Sequence, residues 1–276
     1  MSKFSSILRF GFIPVLLILM AGWIWARDLS WTERPTDTLP VLVGLALICW
    51  LGSPWRRREP AGPGSRRPIL SGALLLIAGV TTNLISLMAL GWALFLYEWF
   101  RSSYRKGAVS PSRLALLGFL SFPWLVTDFA AIGWWFRLSG TWATEQVFTL
   151  LGFNADAYGT SIVIEGFPVD IVASCSGINI LQSILLAGTM AALIFFRREL
   201  GFWLAFSVLP LLAWLSNTFR IIVVTAAGLT SGAEFASGWF HTWGGLFSVV
   251  IMFLTCLALF SRLGEPHYTV SRSHAR

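Results

Sequence analysis

The chain has 276 residues, 56% of them hydrophobic and only 12% charged, with a net charge of +7 and a positive mean hydropathy. Soluble domains run nearer half apolar and a quarter charged, so this composition excludes an ordinary globular core and points to segments that cross a bilayer. The positive charge sits in short clusters between apolar runs, at Arg56 to Arg58 with Arg66 and Arg67, at residues 101–106, and at Arg197 and Arg198, which is the positive-inside signature rather than a nucleic-acid surface, so no nucleic-acid partner is expected.

In chain order, Lys3 and Arg9 place the N-terminus in the cytoplasm, before a first span at about 7–26. The stretch resembles a signal peptide in charge, but tryptophans Trp23 and Trp25 stand where a small-residue cleavage site belongs, so it reads as uncleaved. A polar outer loop with Asp28, Glu33 and Asp37 follows, then span two at about 39–51 and the basic Pro/Gly connector 56–67. Residues 69–100 are apolar with basic flanks at both ends, so the chain crosses there an even number of times. The polar break at 81–83 divides them into spans three and four, with a re-entrant hairpin as the alternative.

Span five is expected at about 114–132, leading outward past Pro123 and Asp128. Segment 133–174 is then the longest non-cytoplasmic stretch. Its first half carries Trp134, Trp135, Phe136, Trp142, Val147, Phe148 and Leu151 among polar residues and predicts an amphipathic helix at the membrane interface. Its second half has two β-prone runs around Glu165-Gly166 and predicts a hairpin that delivers the chain to Cys175. Spans six, seven and eight follow at about 177–196, 201–223 and 242–260, and the tail from Arg262 is cytoplasmic by the same charge rule. The fold class is an all-α polytopic membrane bundle of about eight short helices. Residues 1–112 hold spans one to four, 113–262 form a catalytic core, and 263–276 a tail.

The functional argument rests on distance along helices. Cys175 precedes Arg197 by 22 residues, Arg198 precedes Arg220 by 22, and His241 precedes Arg262 by 21. At about 1.5 Å per residue each interval spans about 30 Å, the thickness of a hydrocarbon core. One cysteine, one arginine and one histidine therefore reach the same outer boundary.

Each has an ordinary explanation as well. Cys49 and Cys256 lie inside apolar runs and read as small core residues. Cys175 stands between Ser174 and Ser176-Gly177 at a helix start, where free N–H groups favour a thiolate and form an oxyanion hole; a structural cysteine is the equal alternative. Arg220 either snorkels to outer headgroups or has a function, the default for an intramembrane charge, with Asn217 one turn away to orient it. His241 is the only histidine outside the tail, and beside Trp239 and Trp243 it is either an interfacial anchor or an acid/base. Asp128, Asp156, Glu165, Asp170 and Glu234 are further acids near this face, and none is assigned a catalytic part. Three scattered cysteines make neither a disulfide framework nor a zinc spacing, so no metal and no cofactor is expected.

Three motifs in order, Val172-Ala-Ser-Cys-Ser-Gly-Ile178, Asn217-Thr-Phe-Arg-Ile221 and His241 with Gly244-Gly245, resemble those of the exosortase/archaeosortase family of membrane-embedded cysteine transpeptidases, over roughly residue 114 to the end of span eight. The resemblance implies Cys175 as nucleophile, Arg220 as electrostatic stabiliser and His241 as acid/base, supported by Asn217, Ser176 and Gly177. It implies a prokaryotic cytoplasmic membrane with the site on the non-cytoplasmic side. The partners it implies are exported, membrane-anchored proteins ending in a short motif, a membrane helix and a basic tail, with an amine, a glycan-linked acceptor or water resolving a thioester. Ser174 stands where the family usually has Ala and Asn179 where it often has Arg, changes that bear on substrate preference. Two other classes remain as alternatives, a non-catalytic scaffold for polysaccharide or export assembly and an anion-binding transporter.

Overall fold

The computed structural model describes residues 11–32, 64–104, 109–171, 176–232 and 239–264, with isolated positions between 38 and 56. The helices are α1 (Ile13–Trp25), α2 (Arg66–Thr82), α3 (Ile85–Ser103), α4 (Pro111–Leu120), α5 (Trp124–Asp128), α6 (Ala130–Leu150), α7 (Ile178–Phe195), α8 (Glu199–Ser231) and α9 (Trp239–Leu263). Between α6 and α7 lies an antiparallel meander of β1 (Ala155–Tyr158), β2 (Ser161–Ile164) and β3 (Phe167–Asp170). The chain divides into two compact units, Met1–Ala130 and Ala131–Arg276. α4 falls in the first because it packs on α3 through Gly118, whose hydrogens leave room for Trp92 and Leu96.

In the first unit, the expected break at 81–83 is a tight helical hairpin. Asn83 takes the left-handed conformation (φ 58°, ψ 32°), one of the few residues other than Gly that does so readily. α2 and α3 then close on each other through glycine: a Cβ on Gly72 would lie 2.9 Å from the Gly91 carbonyl oxygen, and one on Gly91 would lie 2.6 Å from that of Gly72. Small residues at such crossings let helix backbones meet where no hydrophobic force drives association. At 17 and 19 residues, α2 and α3 are about 25 and 28 Å long.

Two acids complete the hairpin. The Asp128 carboxylate accepts from the backbone N–H groups of Ile85 (3.2 Å) and Ser86 (2.6 Å), and so caps the start of α3. Glu98, buried at 4% exposure, accepts from the Ser65 N–H at the start of α2 (2.8 Å) and from Arg101 (3.1 Å). Helix starts leave N–H donors without partners, and a carboxylate from another element also meets the positive dipole end. Asp128 is therefore a structural cap.

The segment expected as span five is not one helix. α4 ends at Leu120, α5 runs only from Trp124 to Asp128, and α6 begins at Ala130. Pro123 has no N–H to continue the ladder, and the Ser121 hydroxyl turns back onto the Leu117 carbonyl (2.7 Å). Ten residues of α4 cover about 15 Å, half a bilayer. The amphipathic helix expected within 133–174 is α6, starting three residues earlier. Trp134, Trp135 and Trp142 face outward, while Gly133, Gly140, Thr144 and Phe148 face inward.

Among the described residues, α7 and α8 are long and apolar enough to cross a membrane on length and composition, and α1, α4 and the stretch Phe247–Leu263 are shorter apolar helices. Residues 39–51 are described only at scattered helical positions, so most of span two lies outside the described residues. Of the two cysteines expected in the core, Cys256 is fully buried. Cys49 is exposed, on an outward face between Trp50 and the buried Ile48, so it is not a core residue.

α7 packs on both α8 and α9, closely enough at Gly188 that a Cβ would lie 2.3 Å from Leu209. α8 has 33 residues, about 50 Å, which exceeds a hydrocarbon core by several turns. The sheet docks on its last third: Ile162 and Ile164 of β2, Ala155 and Phe148 form a core with Val169, Ile222, Ala226 and Leu229. The hairpin expected at Glu165-Gly166 is present, both residues having positive φ (51° and 79°) as a type I′ turn requires. β1 was not expected; it is held in register by Glu165, whose N–H donates to the Asn154 carbonyl (2.9 Å) and whose carboxylate accepts from the Asn154 N–H (2.7 Å).

Candidate functional site

The site is built in the second unit, on α6, α7, α8 and α9. On α8, Ser216, Asn217, Thr218, Arg220 and Ile221 are all buried while Leu215 and Phe219 face outward, so one turn of an apolar helix turns its polar side to the protein. Arg220 is 7% exposed and Asn217 1%. A snorkelling arginine would reach outward to headgroups; this one is packed inside.

Gly177 is the N-cap of α7 and sits in the left-handed region at φ 72°. A Cβ added there would lie 2.4 Å from Cγ of Asn217 and 2.7 Å from both its Nδ2 and its Oδ1. The carboxamide of Asn217 thus rests directly on the backbone that opens α7. The motif around Cys175 and the Asn-x-x-Arg motif, 40 residues apart in sequence, meet at this contact. The Leu181 N–H donates to the Gly177 carbonyl (2.8 Å) and begins the helical ladder there; the N–H groups of a helix's first turn have no acceptor within that ladder.

α6 closes the other side. A Cβ on Gly133 would lie 2.9 Å from Cβ of Ser176, and one on Gly140 would lie 2.7 Å from Cδ1 of Ile221. Between them Arg137 donates from Nη1 to the Ile171 carbonyl (3.3 Å), and Trp214 on α8 donates from Nε1 to the Ser139 hydroxyl (2.8 Å). Ile171 packs with Ile221 and Val169, so the end of β3 and the Arg220 turn share a small apolar cluster.

Cys175 itself lies outside the described residues; Ile171 and Ser176, on either side, are both placed. Of His241 the backbone is described, as the third residue of α9, and its side chain is not. α8 and α9 are joined at one point by the Ser216 hydroxyl donating to the Ser248 carbonyl (3.2 Å). From there Arg220 is four residues along α8, about 6 Å, and His241 is seven residues back along α9, about 10 Å. In two successive helices joined by a short connection these steps run the same way, so the two backbone positions lie within about one turn in height.

A model of the transmembrane exosortase family matches residues 9–260. The chain belongs to the transmembrane exosortase family. The match spans the first four expected helices as well as the motif-bearing half, where the sequence resemblance began only near residue 114. Membership makes the chain a membrane protein of a protein-sorting transpeptidase family acting on exported membrane substrates. No curated protein sequence and no solved structure matches it.

The residues that motif reading passed over are on α6. Gly133, Arg137, Gly140 and Thr144 recur at intervals of three and four and form one stripe, a helical period visible in the sequence but masked by the tryptophans between them.

The Gly177 contact carries a prediction. Gly177→Ala forces a non-glycine residue into the left-handed region, at about 1–2 kcal/mol, and drives its methyl into Asn217, adding about 1–3 kcal/mol of overpacking. The expected result is a lower unfolding temperature in detergent and strongly reduced substrate conversion. The double variant Gly177→Ala/Asn217→Ala recovers stability partway, because it removes the clash and keeps the backbone strain. A single variant as stable as the parent would mean that Asn217 does not rest on Gly177.

Proposed function

We propose that this exosortase is a membrane cysteine endopeptidase and transpeptidase that cleaves a C-terminal sorting signal of exported proteins through a thioester at Cys175. The observation that carries the reading is the Gly177–Asn217 contact, which joins the opening of α7, two residues past Cys175, to the α8 turn that bears Arg220. In this reading the substrate ends in a short motif, a membrane helix and a basic tail, and its scissile peptide is held at the non-cytoplasmic boundary of an eight-span bundle in a prokaryotic cytoplasmic membrane.

The Cys175 thiolate attacks the scissile carbonyl carbon, forming a C–S bond as the carbonyl electrons move onto oxygen. Arg220 and the free N–H groups at the start of α7 stabilise that oxyanion. His241 gives a proton to the leaving amine as the C–N bond breaks, and the thioester remains. An acceptor amine, a glycan-linked acceptor or water then gives its proton to His241 and displaces the thiolate. Asn217 and Gly177 fix the relation of α7 to α8, and Ser176 seats that junction against Gly133 of α6. The buried position of Arg220 favours this reading over a headgroup anchor.

The test is capture of the acyl-enzyme. Mixing the purified exosortase with a reporter protein bearing such a C-terminus, then denaturing in acid, is expected to give a covalent adduct at Cys175 that hydroxylamine releases. An adduct at another residue, or cleavage without any hydroxylamine-sensitive species, would remove the thioester from the mechanism. The side of the membrane is tested in intact cells with an impermeant maleimide, which should modify Cys175 from outside; modification only after lysis would reverse the topology.

A further inference from the structure

The structure assigns Arg137 on α6 as a positioning residue for the segment that carries Cys175, an inference that rests on Cys175 being the nucleophile. Both described flanks of that segment are held by the same turn of α6. On the upstream side, Nη1 of Arg137 donates to the Ile171 carbonyl at 3.3 Å. On the downstream side, Gly133 packs on Ser176 so closely that its missing Cβ would lie 2.9 Å from the serine Cβ. Residues 133 and 137 are one helical turn apart, about 6 Å, so one turn of α6 contacts both Ile171 and Ser176.

Arginine suits this task for a physical reason. Its planar guanidinium offers five donors in a fixed fork, and a charge-assisted hydrogen bond to a backbone carbonyl is stronger than a neutral one. Nε of Arg137 is also buried and has no hydrogen-bond acceptor among the described residues, so the guanidinium keeps a donor in reserve beyond the Ile171 carbonyl. β3 supports the same point from behind, since Ile171 is packed with Ile221 one residue after Arg220. The backbone leading into the nucleophile segment is thus referenced to α6 by Arg137 and to the Arg220 turn by Ile171. A nucleophile displaced by about 1 Å from its line of attack loses on the order of 10²-fold in rate, so a single such tether is enough to matter.

The test uses Arg137→Met, which keeps a long apolar stem without donors, and Arg137→Gln, which keeps one N–H donor without the charge. Conversion of the tagged reporter is measured per unit of membrane-inserted enzyme, with Cys175→Ala as control. Arg137→Met is expected to lower kcat roughly tenfold to a hundredfold with KM changed less than about twofold, because the hydrogen bond acts on the enzyme's own backbone and not on substrate affinity. Arg137→Gln is expected to recover most of that loss. A residue that only stabilised the fold would lower abundance, leave conversion per enzyme unchanged, and show no rescue by glutamine; that pattern, or full kcat in Arg137→Met, overturns the proposal. Should Arg137→Met fail to accumulate, a Gln variant at a tenth or less of the parent kcat also overturns it, since the carbonyl still has its donor. Activity in Cys175→Ala would instead remove the nucleophile reading, whatever the Arg137 variants do.

Discussion

Cys175→Ala is expected to leave the tagged substrate uncleaved, at a loss on the order of 10⁶ in turnover, as for the nucleophile of another acyl-transfer enzyme. Cys256 does not take over the covalent step, because it is buried and lies 15 residues, about 22 Å, along α9 from His241. Cys175→Ser is expected to be inactive as well. Serine has nearly the same shape, so loss of activity in a folded serine variant isolates the thiolate, which a hydroxyl does not match without its own activating base. Either variant should hold the substrate without processing it, so the uncleaved protein should co-purify. A scaffold or a transporter would tolerate both substitutions, and a Cys175→Ala enzyme that still converts substrate would move the chain to one of those classes.

Arg220→Lys and Arg220→Ala are both expected to lose on the order of 10²–10³ in conversion, about 3–4 kcal/mol of transition-state stabilisation, with near-normal abundance. Lysine keeps the charge but replaces a planar fork with a compact ammonium on a different stem. At 7% exposure, with Asn217 at 1% one turn away, the surroundings are shaped to one side chain and leave an ammonium little room to adjust. Asn217→Ala is expected to fall between, since it removes the side chain that seats Gly177 while leaving the guanidinium in place. A headgroup anchor predicts the reverse: lysine would substitute well and alanine would chiefly lower abundance. Near-normal conversion by Arg220→Lys would end the oxyanion assignment.

What the sequence disclosed follows from which features are local. The hairpin at Glu165-Gly166 and the break at residues 81–83 were legible because turn chemistry is written in two or three adjacent residues. The start of α7 at Gly177 was legible because the apolar run opens directly after the Ser-Gly pair. β1 was not, since Ala155-Asp-Ala-Tyr158 has no β-branched residue and owes its pairing to Glu165 and Asn154. Nor was the interruption of 114–132 into α4, α5 and the start of α6, because hydropathy is blind to a lost backbone hydrogen bond. Spacing alone makes Asn217 an orienting partner for Arg220 on the same helix. That its carboxamide lies on Gly177 of α7 is a tertiary fact, and no local period announces it.

The two carboxylate caps of the α2–α3 hairpin also impose an order of events on biogenesis. The acid that caps α3 is encoded 43 residues after the first amide it serves, and the acid that caps α2 comes 33 residues after its amide. At synthesis rates of about 5–20 residues per second, the ribosome needs about 2–9 seconds to deliver Asp128 after Ile85 has been made. During that interval the hairpin can form its glycine crossing, but the amides of Ile85 and Ser86 must find water or the insertion machinery instead. The first unit therefore locks only when its last helix emerges, and chains stalled or truncated between residues 103 and 128 should be recognised by the cell as unfinished although both helices of the hairpin have already been made.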